Sequence, residues 1–479
     1  MLLNPIDFGD NPYLVGPHAP VRKELDKPSL KYVGQVPKDF SGIYLRNGPN
    51  QIHPPCGTYH WFDGDGMVHG VEFREGRVNY RNRWINTAGL KQEQKTGHSL
   101  WPGLMDPPNR SLQEAWGSDL CLKDNSNTDL TIHGGKAIST FYQCGEAYTL
   151  DPLSLETLGT LDLLSGGGRQ MSAHCMTDEQ SGDLLFFDYA TKPPYMTYGV
   201  FDKDANLVHH TAIDLPGARL PHTLAFTTNY SILMDLPMFW DPELLQKDVH
   251  KVSFYPDKAS RFGLITRFGQ GDSIKWFEAD PCYIYHAINS WEEGDVVVLD
   301  VCRMSTPVPS EAKKQKLAGP YGSMLAWLKL DASYHRYRFN LVSGETKEES
   351  LSDLLSEFPV INNRFGGLSS RYSYHVTLAD TDAILFDGLV KIDSETTQNQ
   401  EYKFPKGCFG SESQFAPRDN AKNEDDGYLI TLVTNMETNK GEIQIFPAED
   451  LTQGPICRVI VPQQIPPGFH SSFVLPENL

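Results

Sequence analysis

Long apolar runs are missing from this 479-residue chain: none approaches the roughly 18 uninterrupted residues that a membrane-spanning helix needs. The amino terminus, Met1-Leu2-Leu3-Asn4-Pro5-Ile6-Asp7-Phe8, has no basic segment ahead of an apolar core and does not read as a secretory signal. Positive charge is also in short supply. With 42 Lys and Arg against 61 Asp and Glu, the formal charge of −19 argues against nucleic acid, whose phosphates would be repelled, and against an electrostatic hold on anionic lipid. The eight cysteines (56, 121, 144, 175, 282, 302, 408 and 457) form no CxxC pair, and several lie in apolar runs. That usage fits reduced structural thiols in a cytoplasmic protein better than a disulfide framework. Helical periodicity is scarce. Residues 103–105, 242–246 and 322–328 read as loops and short helices over one end of the fold.

Turn residues are abundant, with 40 Gly and 33 Pro separating short β-branched and aromatic runs. Residues 42–49 read as a strand ending in a turn, and 61–71 as strand, Asp-Gly turn, strand. A tight turn at Arg74-Glu75-Gly76-Arg77 leads into another strand at 78–84, and further turns fall at 202–206, 292–295, 342–345, 425–427 and 439–442. Residues 1–40, rich in proline and charge, are expected to wrap the outside. The apolar stretch 231–240 reads as a buried core strand and cap, or as the wall of a tunnel for an apolar substrate. No repeat aligns letter by letter, so the expectation is architectural: an all-β propeller or sandwich of antiparallel sheets, in one domain over 1–479. A propeller is favoured because it brings inward strand residues to one axis.

One histidine interrupts an apolar strand. Cys282, Ile284, His286 and Ile288 share a face at period two, so the His286 ring points inward, where an unpartnered imidazole costs roughly 1–3 kcal/mol. Alone, it would read as a core histidine bonded to a backbone carbonyl. It has company in His174 (Ser172-Ala173-His174), His222 (Leu220-Pro221-His222) and His470 (Gly468-Phe469-His470), each at the edge of a strand-like run. They lie too far apart in the chain for a local metal clip but suit a closed, repeating fold. Four neutral imidazoles fit Fe, Cu, Ni or Zn and argue against Mg or Ca; iron with open positions for oxygen is the more natural choice. Metal-bound imidazoles need acceptors for their other N–H, and Glu357 and Glu412 are candidates, though either reads equally well as a solvated carboxylate.

Taken in order, Arg46-Asn47-Gly48-Pro49-Asn50, Phe62-Asp63-Gly64-Asp65-Gly66-Met67-Val68-His69-Gly70, the four histidine contexts, Glu357-Phe358-Pro359 and Pro467-Gly468-Phe469-His470 resemble the carotenoid cleavage oxygenase family. The resemblance implies a seven-bladed β-propeller with a loop-and-helix cap and one Fe2+ per chain, held by His174, His222, His286 and His470. It implies that Glu357 and Glu412 orient His286 and His470. A third glutamate of the family pattern is replaced by Gln143, which still offers His222 an acceptor but no charge. Thr128 matches a threonine whose methyl crowds one iron position. The implied reaction is O2-dependent cleavage of an alkene C=C bond to two carbonyl products.

The implied partners are O2 and an apolar conjugated alkene, and a cap meeting a membrane surface peripherally would suit collection of such a substrate. Stilbene-cleaving relatives carry a lysine where this chain has Tyr142, and a tyrosine in the cap segment that residues 100–106 lack. A carotenoid or apocarotenoid is therefore the first expectation and an aryl alkene the second, with Phe62, Trp101 and Tyr142 at the substrate. Two rivals remain: a non-oxidative relative acting on a retinoid ester, and a propeller serving only as an interaction scaffold. His69 and His133 are expected to be structural.

Overall fold

The structure is a computed structural model that describes residues 8–106, 115–118, 120–163, 170–247, 249, 251–309, 325 and 330–478. Seven antiparallel sheets of four to six strands follow one another along the chain as the blades of a β-propeller. Their innermost strands are Ser471–Val474, Asp129–His133, Met176–Thr177, Ala225–Phe226, Tyr283–Glu293, Ser356–Val360 and Ser413–Pro417. Alternation within each blade sends side chains to both faces, and the faces of neighbouring blades pack together. Between the fourth and fifth blades, for example, Ile232, Phe262 and Leu264 meet Val297, Leu299 and Phe339, all buried. Each such side chain contributes on the order of 1.5–3 kcal/mol by leaving water.

Both ends of the chain close the ring. Ser471–Val474 pairs antiparallel with residues 43–46 and so becomes the inner strand of the blade that the amino-terminal strands build. Tyr32–Gly34 adds the outermost strand to the last blade through Cys457, Arg458 and Val459, while Asp26–Lys27 edges the first blade on Tyr80 and Arg81. Pairing removes the two free edges an open ring would leave.

The expected hairpin turns at 292–295 and 342–345 are present, with Gly294 and Gly344 at φ +61° and +79°, the left-handed conformation such turns demand. Residues 61–63 differ from the expected strand. Trp61–Asp63 is a 3-10 turn: the His60 ring accepts the Phe62 N–H at 3.1 Å, and the Asp63 carboxylate accepts the His60 N–H at 2.8 Å and the Leu104 N–H at 2.9 Å. These bonds, two local and one from Leu104, outcompete strand pairing and turn Phe62 inward. Pro242–Leu245 is a short helix, but residues 103–105 form a turn. The longest helix described, Ala88–Thr96, was not expected, although Thr87 caps it through the Leu90 N–H and Gly97 ends it at φ +79°. Of the segment 322–328, only Leu325 is among the described residues. Residues 231–240 form two strands, Tyr230–Asp235 and Met238–Trp240; Ile232, Leu233 and Met234 enter the inter-blade core. Among the described residues, no helix is long and apolar enough to cross a membrane, and all eight cysteines are free.

Candidate metal centre

Each inner strand delivers a residue to the same end of the axis. Asp129 begins one with Thr128 just before it, Glu412 and His470 directly precede two others, His174 and His222 stand just ahead of two more, and His286 and Glu357 lie within theirs. The His174 ring centroid lies 4.7, 5.0 and 4.4 Å from those of His222, His286 and His470, and His286 lies 5.5 and 4.8 Å from His222 and His470. All four imidazoles are buried.

Strand geometry alone would not aim these rings. The pairing of Tyr283–Glu293 with its neighbour slips between Ile284 and Ala287 and again before Asn289, and that of Ser356–Val360 slips between Glu357 and Val360. Such bulges rotate side chains off the regular alternation. As a result the consecutive residues Tyr285 and His286 both face the same pocket. His174 and Phe358 have φ of +63° and +50°, a conformation that costs non-glycine residues of order 1–3 kcal/mol. Hydrogen bonds hold both: the His174 N–H donates to Asp129 Oδ2 at 3.0 Å and the Phe358 N–H to Glu357 Oε2 at 2.7 Å. At the carboxyl end, Phe469 and His470 exchange backbone bonds with Asn47 at 3.0 and 2.9 Å. That approach requires Gly468, where a Cβ would sit 1.6 Å from a guanidinium nitrogen of Arg46.

Two of the rings are held by their Nδ1 atoms. His286 Nδ1 lies 2.5 Å from Glu357 Oε2, and His470 Nδ1 lies 2.9 Å from Glu412 Oε1. Glu412 Oε2 is held in turn by the Ser471 N–H at 2.6 Å and its hydroxyl at 3.0 Å. On the other side of the rings, Nε2 of His174 and Nε2 of His286 are buried without a hydrogen-bond partner. Two orphaned imidazole nitrogens side by side would be a loss in a merely structural cluster; they fit a shared cation. Burial holds His174 and His222 well below the usual histidine range, and His470 at about 3, so these rings are neutral as metal binding requires. Burial also pushes Glu412 up to about 8, against the pull of the Ser471 N–H; a cation at the axis would act in the opposite sense.

The histidines separate two spaces. On one side is an apolar pocket of about 30 Å³, lined by Trp61, Phe62, Tyr142, Tyr285, Phe358 and Phe469 along with Thr128. On the other, a polar cavity of about 790 Å³ runs between the inner strands past Asp129, Glu179, Arg364 and Gln414. Thr128 takes the Tyr142 N–H on its hydroxyl at 3.2 Å, which fixes the start of the loop carrying Tyr142.

Phe62 and Tyr142 line the apolar pocket beside the histidines, with ring centroids 4.9 Å apart. Trp101 does not. Its indole packs against Trp116 at 6.0 Å and lines a separate crevice with Thr58 and Lys123. Gln143 is buried, but no hydrogen bond joins it to His222; its amide oxygen accepts from Ser118 Oγ at 3.1 Å. The His222 ring instead packs edge-on against Tyr285 at 4.7 Å. His69 bonds to Tyr80 at 2.8 Å and is structural, whereas His133 lines the polar cavity. Sequence reasoning missed Asp129, whose Oδ2 lies 3.7 Å from His174 Nδ1, and the pocket residues Tyr285, Phe358 and Phe469. The last three adjoin His286, Glu357 and His470, and that adjacency was the available signal.

The family model described as retinal pigment epithelial membrane protein matches residues 18–475. A carotenoid 9,10(9',10')-cleavage dioxygenase of Crocus sativus is 32% identical over 507 residues, covering 98% of this chain and 90% of the relative. An isoeugenol monooxygenase of Pseudomonas nitroreducens is 28% identical, covering 97% of this chain and 98% of its own. Among solved structures, the lignostilbene dioxygenase of Pseudomonas brassicacearum superposes with a TM-score of 0.85 at 24% identity, over 98% of this chain and 100% of that one. A Synechocystis apocarotenoid oxygenase mutant superposes at 0.81 and 23%, over 96% and 98%. With its seven blades, its axial histidines and a match from near one end to the other, this chain belongs to the carotenoid cleavage oxygenase family.

Proposed function

We propose that this protein is a non-haem Fe(II) dioxygenase that cleaves a C=C bond of a carotenoid or apocarotenoid with O2. The single observation that carries the reading is the convergence of four buried imidazoles, those of His174 and His286 with unpartnered Nε2 atoms, beside a largely aromatic pocket. The four nitrogens of His174, His222, His286 and His470 would hold one ferrous ion per chain. When bound, that ion supplies the one-electron chemistry through which ground-state O2 reacts with an alkene. Both oxygen atoms enter the products, one on each carbon of the broken double bond, so no external reductant and no protein acid or base is required.

The chain's own residues contribute position and exclusion. Glu357 and Glu412 hold His286 and His470 by their Nδ1 atoms, fixing ring orientation and tautomer. Thr128 presents its side chain beside the histidines, where it restricts the room next to the ion. Phe62, Tyr142, Tyr285, Phe358 and Phe469 present ring faces and edges to a conjugated chain and exclude water from the reacting bond. The choice of bond then follows from how deep the alkene slides between these rings.

Aryl alkenes, stilbenes and phenylpropenes among them, are the second reading, favoured by the mostly aromatic wall of the pocket. The test is anaerobic purification and metal analysis, then incubation with a panel of polyenes and aryl alkenes while O2 uptake and carbonyl products are followed. About one iron per chain, with O2 consumed in equal proportion to alkene, supports the proposal; metal without O2 consumption would assign the site to a non-oxidative reaction, and neither metal nor turnover would leave a scaffold. His286→Ala should remove both iron and turnover.

A further inference from the structure

Three of the four axial histidines have a carboxylate behind the ring, but not the three that the sequence singles out. Glu357 serves His286 and Glu412 serves His470. Among the described residues no carboxylate pairs with His222, and Gln143, the residue expected to serve it, has a neutral amide engaged with Ser118. Behind His174 stands Asp129. Its Oδ2 accepts the His174 backbone N–H at 3.0 Å and lies 3.7 Å from Nδ1 of the same ring, while its Oδ1 accepts the Leu130 N–H at 2.7 Å. The carboxylate is therefore fixed at both oxygens and buried, and among the described residues it is the one acid within ion-pair distance of the His174 ring.

We infer that Asp129 is a positioning residue for His174, supplying the negative charge that Gln143 does not supply at His222. The inference rests on the proposed iron site. Its geometry has three parts. The orphaned nitrogen of His174 is Nε2, whereas Asp129 approaches Nδ1 of the same ring, which places the carboxylate to support the ligand; because ligand atoms of Asp129, His174 and His470 also lie within 4.8 Å of one another, the test below distinguishes support from direct ligation. Oδ2, 3.7 Å from Nδ1, favours the tautomer that carries its proton on Nδ1 and leaves Nε2 free to bind. Finally, the bond from the His174 N–H to Asp129 stabilises the left-handed backbone at φ +63° that turns this side chain to the axis. One carboxylate thus sets the backbone, the tautomer and the electron richness of a single imidazole.

The charge count makes a reciprocal variant informative. If Asp129 and position 143 are alternative places for one negative charge, removing it at 129 and restoring it at 143 should largely cancel. The parent, Asp129→Asn, Asp129→Ala, Gln143→Glu and the double Asp129→Asn/Gln143→Glu would be stripped of metal anaerobically and titrated with Co2+ and with Fe2+. The Fe(III)/Fe(II) potential of each loaded protein would then be read by spectroelectrochemistry, with the thermal midpoint of each apoprotein as the check on folding. Asp129→Asn should weaken metal binding about tenfold, as loss of a ligand-orienting partner typically does, and should raise the potential, since a carboxylate near iron favours the ferric state. Gln143→Glu should lower the potential, and the double variant should return both quantities most of the way to the parent.

Binding within twofold of the parent and an unchanged potential in Asp129→Asn would overturn the inference. So would a loss of affinity that leaves the potential unmoved and is not repaired by Gln143→Glu, since that pattern marks a purely structural loop contact. X-ray absorption showing a carboxylate oxygen bonded to the metal in the parent and absent in Asp129→Ala would overturn it by making Asp129 a ligand. A parent that takes up no ion would overturn the iron site as well, whereas a parent that binds one ion through His286 while Asp129→Asn matches it would remove this inference alone.

Discussion

Glu357→Gln isolates the charge behind His286 with little change of shape. In the parent, Glu357 Oε2 accepts two bonds, from His286 Nδ1 at 2.5 Å and from the Phe358 N–H at 2.7 Å, and the side chain is wholly buried. A glutamine amide oxygen at that place can accept both, so the geometry survives and one formal charge is lost. A hydrogen bond to a charged group contributes about 1.5–3 kcal/mol and a neutral one about 0.5–1.5 kcal/mol, a difference of about 1–1.5 kcal/mol. At about 1.4 kcal/mol per factor of ten, Glu357→Gln should weaken Co2+ or Fe2+ binding about tenfold. Glu357→Ala should do worse in both binding and folding. It leaves the Phe358 N–H, on a backbone at φ +50°, without an acceptor, which adds about 1–3 kcal/mol. The assay is competitive titration of the apoprotein against a chelator of known affinity, with thermal unfolding in parallel. Glu357→Gln binding metal within twofold of the parent would refute the reasoning, because His286 would then not depend on that charge.

Other expectations follow from the same geometry. Lys123 is buried between Asp65 and Glu93, with its Nζ 2.6 Å from Glu93; Lys123→Met leaves two buried carboxylates uncompensated and should cost about 3–5 kcal/mol in urea unfolding. Phe62→Ala removes ring contacts with Tyr142 at 4.9 Å and Phe469 at 5.1 Å, each about 0.5–1.5 kcal/mol, so KM should rise several-fold and bulkier alkenes should be accepted, as steady-state kinetics on a substrate series would reveal. Burial alone would raise the Asp393 carboxyl, but bonds from Arg371, Thr396 and Glu395 outweigh it and bring it to about 2. This depressed value stabilises the fold fully above the unfolded value of about 3.9, and the contribution is lost as pH falls toward about 2, so Arg371→Met should flatten the dependence of the thermal midpoint on pH in that window.

Much of this arrangement is written in the chain. His286 could be placed facing inward from alternation, and the strand-edge contexts of His174, His222 and His470 fit a propeller that gathers inner strands to an axis. The turns at Gly294 and Gly344 were legible because a left-handed residue must stand there. What escaped was set by departures from regularity. Two bulges put Tyr285 and His286 on one pocket, which period-two reading forbids. The bonds among His60, Asp63 and Leu104 turned an apparent strand into the 3-10 turn that aims Phe62, and Leu104 lies too far along the chain to have been anticipated as a partner. No pattern in the sequence marks Asp129, and only the approach of the His174 backbone, brought from the next blade, gives its carboxylate a role. Trp101 was placed at the substrate from its cap context, yet packing against Trp116 takes it to a neighbouring crevice.

The most direct test of the iron site is X-ray absorption on the anaerobically reconstituted protein, compared with variants in which His174, His222, His286 and His470 are replaced one at a time by alanine. Four imidazole nitrogens on a single iron, reduced by one or lost altogether in every variant, is the predicted result. A spectrum fitted by fewer imidazoles, or one left unchanged by any of the four replacements, would contradict it.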